Sequence, residues 1–411
     1  MLPAAGTMTE RPFFSSRRHP AINYDLPPSD AVSALAQKVS SGETRLRFDP
    51  TSGYLMSVLE ALKVPVESQA VVFSKTSLQS HYISPANPRA LFFTDEVAVG
   101  FIRGAPLLEI SALDPRQGVV FFVIDQKDAA RPLIVRSDSC LSCHESRNSM
   151  GIPGMLARSM AVGDGGQIKL QFGTFNSDHR SPFEERWGGW FITGLAGTAA
   201  HMGNTMVAAD ATGRPAGQPK PLASLDGAFA PDGYPARYSD VGAVMTLNHQ
   251  IGMTNLMIRM GWESRIAVHQ GQKNPADRGA GERLIEADAR ELADYMLFVD
   301  EPALPGTFES TSGFKTAFAA AGPRDSQGRS LRQLDLGKRL MRYPLSYMIY
   351  SRAFDGLPDV AREAVYSRLW TILSGQDKST RYSRLTAADR SAIVGILLET
   401  KPGLPSYYKA L

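Results

Sequence analysis

Cysteine is almost absent from this chain, with two in 411 residues. That scarcity excludes a disulfide framework and a four-cysteine zinc site, so stability must come from the core. An excess of one charge is also lacking. Forty-four basic residues meet 41 acidic ones for a net charge of +3, which points to no nucleic-acid partner. The short basic run Arg17-Arg18-His19 reads as a solvated tail. No stretch approaches the roughly 20 apolar residues of a transmembrane segment. The first residues also lack the apolar centre of a secretory leader. No internal repeat is visible. What remains is ordinary: 43% hydrophobic and 21% charged residues, enough to bury a real core.

The two cysteines are not scattered. They stand in Cys140-Leu141-Ser142-Cys143-His144, the spacing of a c-type haem attachment site. Given this composition, cysteines three apart with a histidine behind them arise by chance roughly once in ten thousand. The spacing has a chemical purpose. Two thiols can form thioethers to the porphyrin vinyl groups, and His144 can then bind iron as the proximal axial ligand. Three rivals stand beside this reading. A redox-active cysteine pair would need a surrounding βαβ pattern, and none is evident. A zinc site would need a distant fourth ligand. A structural pair with an accidental histidine explains nothing about the spacing. One covalently bound haem c is the most specific expectation.

Coarse patterning predicts an α+β chain. Residues 1–28 read as an extended arm, and 29–136 as a mixed region with helices at Asp30–Val39 and Leu55–Leu62. Strands are expected at Val71–Phe73, Ala90–Phe93, Val97–Ile102, Leu107–Ile110, Val119–Ile124 and Leu133–Val135, in a mainly antiparallel sheet. Residues 137–238 form a loop-rich haem-binding segment. There, Ser137 or Asp138 could cap a short helix carrying the motif, Ile168–Phe172 is a strand candidate, and a Pro/Gly stretch runs from Thr212 to Pro235. Residues 239–411 read as helical: Val241–Met260, Gly281–Phe298, Phe314–Ala320, Leu345–Phe354, Val360–Leu373 and Ala387–Leu398. Asp359 and Thr386 are the expected caps of the last two.

Over Cys140–His144 the chain resembles c-type cytochromes. It departs from the small class I domains, because a β region precedes the motif and roughly 270 residues follow it. A looser resemblance joins it to poorly characterised bacterial proteins with one such motif, through Arg186-Trp187-Gly188-Gly189-Trp190 and His201-Met202-Gly203-Asn204. The resemblance implies a periplasmic or otherwise extracytoplasmic single-haem protein, with an export leader missing from this sequence and a redox partner protein still to be identified.

The second axial ligand is expected at His201, whose small neighbours would let backbone approach a flat macrocycle. His179, Met202 and Met155 are alternatives. The series Met245, His249, Met253, Met257, Met260 reads as a buried helix stripe. Arg147, Arg158, Arg186, Trp187 and Trp190 are candidate partners for the haem carboxylates or ring, the arginines through bidentate bonds. For Arg186 the plainer alternative is an exposed turn after Glu184-Glu185 with a local ion pair. An electron carrier is the favoured function. A haem enzyme with an open distal site (peroxidase-like or a small-molecule reductase) is the alternative, as is a haem-based sensor or scaffold.

Overall fold

Residues 16–194, 200–208 and 221–411 are described by the computed structural model. The first fifteen residues of the arm, Gly197 and the Pro/Gly stretch as far as residue 220 lie outside the described residues.

Two helices lead the chain, α1 (Ala31–Ser41) and α2 (Leu55–Ala61). Six strands follow: β1 (Ala70–Val72), β2 (Arg89–Phe93), β3 (Val97–Ile102), β4 (Leu107–Asp114), β5 (Gly118–Asp125) and β6 (Ile134–Arg136). All neighbouring pairs are antiparallel. Period-2 alternation sorts their side chains. Leu108, Ile110, Ala112, Val120, Phe122 and Ile124 face a core shared with α1 and α2. Leu113, Val119 and Phe121 face the opposite way, into the helical half. The sheet is therefore a middle layer with both faces covered.

After β6 come a four-residue helix, α3 (Leu141–His144), and three short strands, β7 (Arg158–Met160), β8 (Thr174–Asn176) and β9 (Trp190–Phe191). β9 joins the sheet beside β1, giving the order β6-β5-β4-β3-β2-β1-β9. The expected strand Ile168–Phe172 does not form. Leu170–Phe172 is a 3-10 turn, and sheet pairing goes to β7 and β8 on either side. Ile168 and Phe172 pack against hydrophobic clusters while Leu170 between them is 72% exposed.

The helical half contains α4 (Val241–Lys273), α5 (Arg278–Met296), α6 (Phe314–Ala320), α7 (Arg352–Asp355), α8 (Asp359–Leu373) and α9 (Ala387–Thr400). α4 is 33 residues long and buried on every side from Val241 to Trp262. That all-round burial is why its sequence shows little amphipathic contrast. The expected helix Leu345–Phe354 divides into a 3-10 turn, Tyr347–Tyr350, and α7. The hydroxyls of Ser346 and Ser351 each accept a backbone N–H there and start separate turns. Thr386 caps α9 in a capping box with Asp389. Asp359 is the first helical residue of α8 and Pro358 holds the cap position. The architecture is α+β. No helix among the described residues is long and apolar enough to cross a membrane.

Candidate haem-attachment site

β6 ends at Arg136, and the backbone of Ser137 still donates to Phe121 of β5 at 2.8 Å. A 3-10 turn, Asp138–Cys140, then runs directly into α3. Ser137 occupies the capping position but makes no side-chain cap bond. The coil sets Cys140 and Cys143 three residues apart, on one face of a single turn. Cys140 is half-buried against the core, Cys143 is exposed, and both are free thiols. Burial, helped by the Glu109 carboxylate, pushes the Cys140 thiol above its ordinary pKa.

His144 closes the turn with its ring 4.7 Å from that of Phe121. Its Nδ1 lies 2.9 Å from the carbonyl oxygen of Gly154. A carbonyl can only accept, so Nδ1 carries the hydrogen and Nε2 keeps its lone pair. Nε2 has no hydrogen bond among the described residues. Gly154 N–H in turn donates to the His144 carbonyl at 2.9 Å, so two reciprocal bonds join them. Burial lowers the His144 pKa, keeping the ring neutral as a ligand requires. On the sheet face nearby, Arg89 of β2 pairs with Glu109 of β4 at 2.5 Å. Both act electrostatically on Cys140 and His144.

These features fit a covalently held haem. Two free thiols, one half-buried and one exposed, sit at the attachment spacing, and a neutral imidazole is oriented through Nδ1 with Nε2 available. The described residues contain no cluster of three or more His, Cys, Asp or Glu side chains arranged for a bare metal ion.

Of the other expected site residues, Arg147 closely follows the motif and Met155 adjoins Gly154, while the rest make contacts elsewhere in the fold. Trp187 has φ +67 and is followed by Gly188 and Gly189. A Cβ on Gly188 would lie 2.5 Å from the Met160 carbonyl oxygen, and one on Gly189 2.6 Å from Ser74 Cβ. The glycines thus let backbone meet protein, not macrocycle. Trp187 Nε1 donates to Asn248 of α4 at 3.2 Å, and Trp190 Nε1 to the Arg158 carbonyl at 2.8 Å. Arg186 is 2% exposed, so the exposed-turn expectation fails. Its guanidinium donates to the carbonyls of His179 and Ser181, stapling its own loop.

His201 packs against Trp187 with ring centroids 5.3 Å apart. Its Nδ1 accepts the Gly203 N–H at 3.0 Å. An acceptor Nδ1 puts the hydrogen of the neutral ring on Nε2, the reverse of His144. Burial lowers its pKa to about 4, so the neutral form prevails. Met202 is buried beside Ala161 and Val207, its sulfur accepting from Ser159. His179 is buried in the helical core, with Nδ1 3.0 Å from Nδ1 of His249. Met155 directly follows Gly154 and lines a cavity of about 30 Å³ between the sheet and α4. The expected stripe from Met245 to Met260 is buried, as is His249 within it.

Arg17, assigned to a solvated tail, pairs with Glu145 at 2.9 Å. Tyr24 of the same arm is buried and donates to the Val119 carbonyl. The described part of the arm, from residue 16 on, is therefore packed beside the motif. Gly154, Phe121, Arg89 and Glu109 escaped the sequence reading. Comparison with protein-family models, curated proteins and solved structures finds no match.

Proposed function

We propose that this chain is an extracytoplasmic monohaem c-type protein that transfers electrons to a redox partner. Cys140 and Cys143 would hold the haem, with His144 Nε2 as the proximal ligand. The observation that carries this reading is the bond from His144 Nδ1–H to the Gly154 carbonyl. It selects the tautomer that leaves Nε2 free and makes the ring a stronger donor. The haem would supply one-electron redox chemistry. The protein supplies the attachment thiols, a fixed imidazole, and a low-polarity wall from Phe121. Electron transfer also needs little reorganisation, which suits a motif packed on a sheet and tied to its neighbours.

One observation favours a second reading, a haem enzyme with an open distal position. His201 presents Nε2–H, which has no lone pair for iron. His179 is shut inside the helical core with its Nδ1 against His249, and Met155 belongs to the loop behind the proximal histidine.

Haem staining of the chain on a denaturing gel, after expression with a leader and a haem-attachment system, tests the premise. Stain is expected in the parent and absent in Cys140→Ala with Cys143→Ala. An unstained parent sinks the reading. Carbon monoxide added to the reduced, stained protein then separates the two functions. Refusal supports a six-coordinate carrier, whereas ready binding supports the open site.

A further inference from the structure

We infer that Asn255, in the buried part of α4, is a positioning residue for His144, acting through the backbone of Gly154 and Met155. The inference rests on the haem reading above but has an independent readout.

Asn255 is 2% exposed. A primary amide buried this deeply is tolerated only where its hydrogen bonds are made. Its Oδ1 accepts Met155 N–H at 2.9 Å, and its Nδ2 donates to the Met155 carbonyl at 2.8 Å. Both polar groups of one residue's backbone are thus held by one side chain, as a neighbouring strand would hold them. The side chain also rests on Gly154, where a Cβ would come within 2.5 Å of Asn255 Oδ1. The carbonyl that orients His144 therefore shares its peptide group with the Met155 N–H, one of the two groups held by the clamp from the buried helix.

The same helix secures the start of this loop. Arg259, four residues on, donates to Met150 Sδ at 3.2 Å and pairs with Glu291 at 2.5 Å. Residues 259 and 255 lie on one helix face. Val119 N–H adds a bond to the Pro153 carbonyl at 3.1 Å. The His144 acceptor is thereby part of a rigid frame, and Asn255 is the member nearest to it.

The consequence is electronic. A carbonyl held against Nδ1–H raises the donor strength of the imidazole and so favours oxidised iron. Releasing the carbonyl should weaken that donation and raise the reduction potential.

The test uses the full chain as Asn255→Leu, which fills the volume without either hydrogen bond, and as Gly154→Ala, which pushes a methyl into the clamp. Midpoint potential is measured in the haem-bound proteins, and the His144 ring tautomer by ¹⁵N NMR in the haem-free ones. A raised potential and loss of the pure Nδ1–H tautomer are expected in both variants. If Asn255→Leu does not fold, Gly154→Ala decides. Parental potential and tautomer in the folded variants, even with lowered stability, would show Asn255 to be structural only and overturn the inference. If the parent takes up no haem, the functional reading fails, while the tautomer measurement still judges the clamp.

Discussion

At His144 and His201 the same ring atom, Nδ1, faces opposite partners, a carbonyl in one and an N–H in the other. That difference assigns each ring a tautomer, and the tautomer decides which nitrogen can meet a metal. His201 should therefore remain an Nε2–H neutral imidazole well below the usual histidine range, titrating near pH 4 because burial disfavours its charged form. Histidine ¹⁵N shifts followed from pH 8 to pH 4 check this. A protonation midpoint near 6.5, or an Nδ1–H tautomer, would restore His201 as a distal candidate. Arg186 illustrates the same scale. Its buried guanidinium spends Nε and Nη2 on the backbone carbonyls of His179 and Ser181 and serves its own loop.

α4 organises the elements. Buried polar residues along it fix its neighbours: Asn248 holds Trp187, Gln250 bonds the Thr94 carbonyl and the Tyr347 hydroxyl, and Asn255 holds Met155. Its start is fixed by Asp240, whose Oδ1 accepts from Gly242 N–H at 2.8 Å. The second oxygen accepts from the hydroxyls of Ser310 and Ser312 at 2.9 and 2.8 Å. Asp240→Ala should lose the cap and leave two half-buried hydroxyls, the Ser312 N–H and two helix-terminal N–H groups to find other partners. A destabilisation of about 2–3 kcal/mol is expected, at the upper end for a cap because the tether goes with it. Urea denaturation measures it, and a loss under about 0.5 kcal/mol would contradict the assignment.

Across the whole molecule, burial sets the response to pH. Burial holds Glu301 up at about 7, only partly offset by the Leu340 N–H bond and nearby arginines. Its ordinary value is 4.5. The unfolded carboxyl ionises first as pH rises, so this group's contribution to stability is present below pH 4.5 and lost by about pH 7. Glu301→Gln should flatten that loss, worth roughly 3 kcal/mol at most, and be the more stable protein at pH 8. Comparing the two proteins' denaturation midpoints at pH 4.5 and pH 8 checks it, and an unchanged difference would refute it. The buried histidines act in the other direction. Burial depresses His179, His201 and His249, so their contribution is present above pH 6.5 and lost as acid protonates the unfolded chain.

Sequence patterning alone reveals the cysteine–histidine spacing, the α+β class, six sheet strands and most helices. These are local properties: a thiol spacing, a period of two, a cap. It also determined the buried methionine stripe, because helical spacing needs no partner to be read. Tertiary structure alone decided what surrounds the motif. The acceptor for His144 is a backbone carbonyl, which no side-chain pattern encodes. Its clamp lies a hundred residues away on α4, and an asparagine within an apolar helix looks unremarkable until its partner is known. The glycines around Trp187 were legible as a place of close approach, but not what approaches, since the identity of a neighbour is a long-range fact. The spacing of Cys140, Cys143 and His144 is thus legible in one short span, while the orientation of His144 is a property of the folded body.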